Sequence, residues 1–296
     1  MPDRRTFLFR FAPRWLRRLA LFTALLLGCL YWASCTHAPA LPVGVTKETR
    51  QLTLAGRRVA VTFYFPADRD SAPLVVVAHG FTRSKRYMAG WGTELAGMGF
   101  LAAVPTQPAL ANHQLNARAL AELVTQLRSH AIPLKVRCNG KTALMGHSMG
   151  GLTTLLAATQ TPIDAWVGLD PVDMDGSGAK AATGLNIPCA VLRAEPGAWN
   201  MHGNATQIIA ALHAPKFSLL VRGGTHLDCE SPTDILGQLA CGFVHAPQQA
   251  LFHRYATAFL RAMLMEDKTS YEVLHKASAD SELDDLKVSL HSSSMK

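Results

Sequence analysis

A serine with a glycine two places before it and another two places after it stands in Gly146-His147-Ser148-Met149-Gly150. A serine hydroxyl is a weak nucleophile at neutral pH and needs a neighbouring base. Held on a sharp turn between a strand and a helix, it is presented to a substrate carbonyl, and the crowding of that turn requires small residues on either side. The surroundings suit such a turn. An apolar run, Thr142 to Met145, precedes it, and a helix-compatible run, Leu152 to Thr159, follows. Acyl transfer through a serine ester is the chemistry this arrangement serves. The competing reading is a glycine-rich turn with an incidental serine.

Such a serine needs a histidine later in the chain, with an acid between them in order. His226 follows the apolar run Phe217 to Val221 in a glycine-flanked turn, whereas His202, His213, His245 and His253 lie in other contexts. Two acids compete to hold the imidazole tautomer. Asp170 ends the apolar run after the serine, and Glu195 ends the next one; Asp173, Asp175 and Asp228 are weaker candidates. An oxyanion requires two backbone N–H donors. Met149 follows the nucleophile and supplies one. Phe81, in His79-Gly80-Phe81-Thr82, supplies the other, with Gly80 allowing close approach and His79 tied into the loop. Phe81, Met149, Trp91 and Trp199 are expected to line an apolar cleft. This chemistry requires no cofactor or metal.

These residues must be carried by strands. Arg50–Leu54 and Arg57–Phe65 read as a hairpin around Ala55-Gly56. Short continuous apolar runs at Leu74–Ala78, Phe100–Val104, Ala165–Leu169, Cys189–Ala194 and Phe217–Val221 have the character of strands buried on both faces. Helical spacing covers Met88–Met98, Leu115–Leu127, Gln207–Leu212 and Leu251–Met265, while Asp175–Gly184 reads as a loop. Strands alternating with helices predict an α/β fold, a doubly wound, mainly parallel sheet flanked by helices. Sites in such sheets lie beyond the carboxyl ends of the strands, where every candidate above falls.

The net charge of +8 is concentrated at the start, with Arg4, Arg5, Arg10, Arg14, Arg17 and Arg18 in the leader. No basic, aromatic-laced stripe remains in the body, which argues against nucleic-acid binding. The apolar run Leu19–Ala33 after those arginines predicts an export signal or a membrane or lipid anchor over residues 1–36. Arg4-Arg5-Thr6-Phe7-Leu8 has twin-arginine character, and Leu27-Gly28-Cys29 and Ala33-Ser34-Cys35 have the form of lipoprotein cleavage sites. A tether over 37–45, a catalytic body over 46–266 and a polar tail over 267–296 complete the expected organisation. In an exported body the cysteine pair Cys229 and Cys241 is placed for a local disulfide. Cys138 and Cys189 begin strands separated by a third, about 10 Å apart, which is too far for a bridge.

At these motifs the chain resembles the α/β-hydrolases, and two branches among them. Leu169-Asp170-Pro171-Val172-Asp173, the elbow Gly146–Gly151 and Thr225-His226-Leu227-Asp228 are similar to the chlorophyllase pattern. That resemblance implies Asp170 as the acid. His79-Gly80-Phe81-Thr82, Trp91-Gly92 and the same elbow are similar to bacterial cutinases and polyester hydrolases. There the acid is an aspartate one strand later, where this chain has only Glu195, a departure that favours Asp170. The resemblance spans roughly Val43 to Met265 and implies a serine carboxylic-ester hydrolase acting on a small-molecule or lipid-like ester. An acyltransferase, or an inactive envelope binding protein on the same fold, are the alternatives.

Overall fold

The computed structural model describes residues 41–213 and 215–290, with positions 13, 16, 18, 22 and 23 besides. The leader and cleavage motifs otherwise lie outside the described residues, and among the described residues no helix is long and apolar enough to cross a membrane.

Among the described residues, nine strands form one sheet in the order β1-β2-β4-β3-β5-β6-β7-β8-β9. The expected hairpin is β1 (Val45–Leu54) and β2 (Arg57–Pro66), paired antiparallel. β2 joins β4 (Leu101–Pro105) antiparallel, and β4 lies parallel to β3 (Ser71–Ala78). The parallel arrangement continues through β5 (Arg137–His147), β6 (Ala165–Leu169), β7 (Cys189–Arg193) and β8 (Lys216–Val221). The continuous apolar runs are explained by two cores, one on each face of the sheet. Val75 and Val77 of β3 enter one core, and Leu74, Val76 and Ala78 enter the other. The period-two alternation of a strand thus gives every side chain an apolar environment.

Helices cover both faces. α1 (Ala89–Gly97) and the long α7 (Ala246–Met265) bring Trp91, Leu95, Phe252 and Phe259 to the first core. α2 (His113–Arg128), α3 (Met149–Ala158) and α5 (Ala205–Ala211) close the second. Asn112 caps α2 by accepting from the Leu115 N–H at 2.9 Å.

The structure departs from the sequence reading in three elements. Part of the expected loop at Asp175–Gly184 is a short helix, α4 (Ser177–Ala182), whose leading N–H groups at Gly178 and Ala179 donate to the Asp173 carboxylate at 3.0 and 2.8 Å. A further helix, α6 (Ile235–Cys241), is capped by Asp234. The polar tail is in large part folded. Asp267 caps α8 (Lys268–His275), and β9 (Leu283–Val288) pairs antiparallel with β8. The polarity of Asp284, Asp285 and Lys287 made it read as part of a partly helical or frayed tail. All three charges are partnered, Asp284 with Arg222 at 2.7 Å, Asp285 with Arg193 at 2.5 Å and Lys287 with Asp285 at 3.5 Å.

Candidate active site

β5 runs into Ser148, whose backbone is held at φ 55°, ψ −125° before α3 begins at Met149. This left-handed conformation is uncommon for a residue with a side chain. The flanking glycines are required by close approach. A Cβ on Gly146 would lie 2.2 Å from the Gly150 carbonyl oxygen, and one on Gly150 would lie 2.5 Å from that of His79. Backbone bonds fix the turn from both sides. Ser148 N–H donates to Leu169 at 3.0 Å, and its carbonyl accepts from Val172 at 3.1 Å.

His226 begins a single 3-10 turn, His226–Cys229, after β8. Its Nδ1 lies 2.6 Å from Asp170 Oδ2. Asp170 is fully buried at the end of β6, itself at φ 41°. Its other oxygen accepts from the Ala194 N–H at 3.1 Å. Asp228 steadies the turn beneath His226, accepting from Thr225 N–H at 2.6 Å and His245 N–H at 2.7 Å. Burial pushes the Asp228 carboxyl upward, against the pull of those backbone donors.

Of the weighed acids, only Asp170 bonds the imidazole. Glu195 accepts from Gly223 N–H at 3.1 Å, so it braces the loop that leads to His226. Asp173 caps α4, and Asp175 accepts from Ser177 N–H at 3.0 Å.

The loop after β3 passes directly over the serine. A Cβ on Gly80 would stand 3.2 Å from Ser148 Cβ. His79 is buried, its Nε2 accepting from Gln107 N–H at 3.0 Å and its Nδ1 placed 2.9 Å from the Gly80 carbonyl. These partners assign the proton to Nδ1, and burial lowers the ring's pKa to about 4. The backbone N–H groups of Phe81 and Met149 have no acceptor among the described residues.

A cavity of about 580 Å³ opens over Ser148 and His226. Phe81, Met149 and Trp199 line it, with Met174, Met201 and Leu236 around them. Phe81 and Trp199 are about half exposed, at 49% and 55%. Trp91 is not in the cleft. It is fully buried in the first core, stacked on His253 with ring centroids 3.8 Å apart. Its indole N–H needs a buried acceptor and finds the Cys229 carbonyl at 2.8 Å, so it supports the His226 turn from below. The expected Cys229–Cys241 bridge is not formed. Both are free thiols, Cys229 turned into the core and Cys241 facing the cavity.

Other residues complete the site without a signal in their spacing. Arg83 donates to both oxygens of the fully buried Glu230, at 2.8 and 2.6 Å, and pairs with Asp234 at 2.8 Å. Its guanidinium lies 3.5 Å over the Tyr87 ring. This clamp joins the loop after β3 to the segment that follows His226. His147, whose ring centroid is 4.5 Å from that of His226, is fully buried, and burial holds its pKa well below the ordinary histidine value. It remains a neutral neighbour of the imidazole.

A mainly parallel sheet with a serine on a strained turn after its central strand, and a histidine–carboxylate pair carried by later strands, defines an α/β-hydrolase. The chain belongs to the PET hydrolase-like family, which matches residues 36–231. It is 30% identical over 169 residues to cutinase est2 of Thermobifida alba, covering 55% of this chain and 54% of the relative. It is 31% identical over 126 residues to the bis(hydroxyethyl) terephthalate hydrolase of Streptomyces coelicolor, covering 41% of each. To chlorophyllase-1 of Citrus unshiu it is 29% identical over 128 residues, covering 41% of this chain and 38% of the relative. The chain spans about half the length, or less, of these curated relatives.

Proposed function

We propose that the protein hydrolyses carboxylic esters through an acyl-enzyme on Ser148, with His226 as general base and Asp170 as its orienting acid. The observation that carries this reading is the 2.6 Å bond between His226 and Asp170 beside a serine held at φ 55° on the cavity floor. Ser148 Oγ attacks the ester carbonyl and its proton passes to His226 Nε2. Asp170 keeps the other proton on Nδ1 and stabilises the imidazolium. The unengaged N–H groups of Phe81 and Met149 hold the oxyanion. His226 then gives its proton to the departing alkoxide, and water repeats the sequence to free the acid.

The apolar lining favours acyl or aromatic esters, and relatives named as cutinases and a terephthalate-ester hydrolase support that class. The basic-then-apolar order of the leader supports export from the cytoplasm. A fluorophosphonate probe on the full chain tests the nucleophile. Labelling is expected on Ser148 alone, and Ser148→Ala should lower kcat by about 10⁴–10⁶-fold with the fold retained. Labelling of another serine, or turnover close to wild type in Ser148→Ala, would sink the assignment.

A further inference from the structure

We infer that Asn200 is a positioning residue for the acid, holding the Asp170 carboxylate in the rotamer that faces His226. This rests on the proposed reading of Ser148, His226 and Asp170. Asn200 stands between two exposed apolar residues, Trp199 and Met201, yet its own side chain is buried. Every polar direction of its amide is used. Oδ1 accepts from Gly197 N–H at 2.8 Å and from Gly203 N–H at 3.0 Å. Nδ2 donates to the Glu195 carbonyl at 2.9 Å and to Asp170 Oδ2 at 3.1 Å. The amide cannot be turned around. Two N–H donors must face its oxygen, and a carbonyl and a carboxylate must face its nitrogen.

Asp170 Oδ2 is the same oxygen that receives His226 Nδ1. Imidazole and amide therefore meet at one atom, while Ala194 N–H holds the other oxygen at 3.1 Å and the same amide nitrogen reaches it at 3.4 Å. Bonds to the ionised form keep a carboxylate less basic. Removing the amide leaves Oδ2 with the imidazole as its sole remaining close donor, so that the carboxylate interacts more strongly with the ring and is no longer held in one rotamer. The amide also closes the turn Gly197–Gly203, where Met201, His202 and Gly203 follow one another at φ 50°, 55° and 77°. That turn presents Trp199 to the cavity, so one side chain ties the cavity wall to the acid.

The test is a double-mutant cycle of Asn200→Ala with Asp170→Asn, read on a neutral aryl ester over pH. Asn200→Ala alone should lower kcat about tenfold, the loss of one hydrogen bond to a charged acceptor. It should also move the acid limb of kcat/KM by about half a pH unit. In the Asp170→Asn background the same change should alter kcat by less than about twofold, because it acts through the missing carboxylate. An unmoved acid limb with a full tenfold loss on top of Asp170→Asn would overturn the inference, since a residue that only shapes the wall behaves additively. Wild-type kcat and pH profile in Asn200→Ala would overturn it too. If a thermal melt shows Asn200→Ala unfolded, Asn200→Ser goes through the same cycle with the same criteria. Wild-type turnover in Asp170→Asn alone would instead remove the triad reading. A crippled Asp170→Asn beside an unaffected Asn200 variant would remove only the role of Asn200.

Discussion

Replacing Asp170 by asparagine changes one oxygen to an NH₂ group and leaves the shape unchanged. The carboxylate takes His226 Nδ1 on Oδ2 and the Ala194 N–H on Oδ1. An amide can satisfy only one of these donors with its oxygen. The backbone N–H at Ala194 cannot surrender its proton, whereas the imidazole can move its proton between nitrogens. The amide therefore keeps its oxygen toward Ala194, where Asn200 Nδ2 also reaches it at 3.4 Å, and points its NH₂ at His226, whose Nδ1 becomes an acceptor. The ring then carries its hydrogen on Nε2 and has no lone pair for the serine proton. A wrong tautomer of this kind costs about 10⁴-fold in kcat, or roughly 5 kcal/mol at ~1.36 kcal/mol per decade. Glu195→Gln is the control. Its remaining oxygen still accepts from Gly223 N–H, which Glu195 now does at 3.1 Å, so turnover should stay within about threefold of wild type. Initial rates on a chromogenic aryl ester, with thermal melts of both variants, measure the contrast. A folded Glu195→Gln that loses more than Asp170→Asn would refute the reasoning and move the acid one strand later.

Two further perturbations address stability. Arg83→Met would strand the fully buried Glu230 carboxylate, which now takes two bonds from the guanidinium. Urea unfolding should show a loss of about 3–5 kcal/mol, the cost of a buried charge without its partner; a loss below about 1 kcal/mol would mean the clamp contributes little. His79 makes stability depend on acidity. Its folded pKa is lowered from 6.5 to about 4 by burial, so between these values the unfolded chain holds a proton that the native ring refuses. Stability is then full above about pH 6.5 and declines as pH falls to about 4, by about 3 kcal/mol at ~1.36 kcal/mol per unit. His79→Asn should lack that part of the slope when ΔG of unfolding is compared at pH 7 and pH 4.5. Parallel pH profiles for the two proteins would count against the neutral, buried ring.

What could be read from the chain alone was what local patterning determines. The run Leu74–Ala78 announces a strand with both faces covered, and the two cores provide that cover. The glycines around Ser148 announce a turn too crowded for a Cβ, and the 2.2 Å approach at Gly146 is that crowding. Trp91 was misplaced because spacing gives a helix its period but not which aromatic finds an acceptor across the fold. Cys229 and Cys241 are near in sequence, yet the 3-10 turn that ends at Cys229 sends its thiol into the core, while α6 carries that of Cys241 to the cavity. Asn200 gave no signal at all. It is one asparagine in a polar loop until tertiary structure surrounds its amide with four partners. The charges of β9 disguised a strand as tail, because side-chain polarity does not reveal that a neighbouring backbone awaits pairing.

That last strand bears on where the folded unit ends. β8, which delivers His226, has β7 on one side and β9 on the other. A chain stopped at Met265, after the last strongly apolar helix, would leave the backbone groups that the stretch Phe217–Val221 turns to β9 open on that side. Open edges of this kind recruit strands from other molecules. The charged residues of β9 thus serve as a gatekeeper. They cover the backbone of an apolar strand with a partner that is itself unattractive to a further chain. The protection of the strand that carries His226 thus comes from a segment that does not line the cavity.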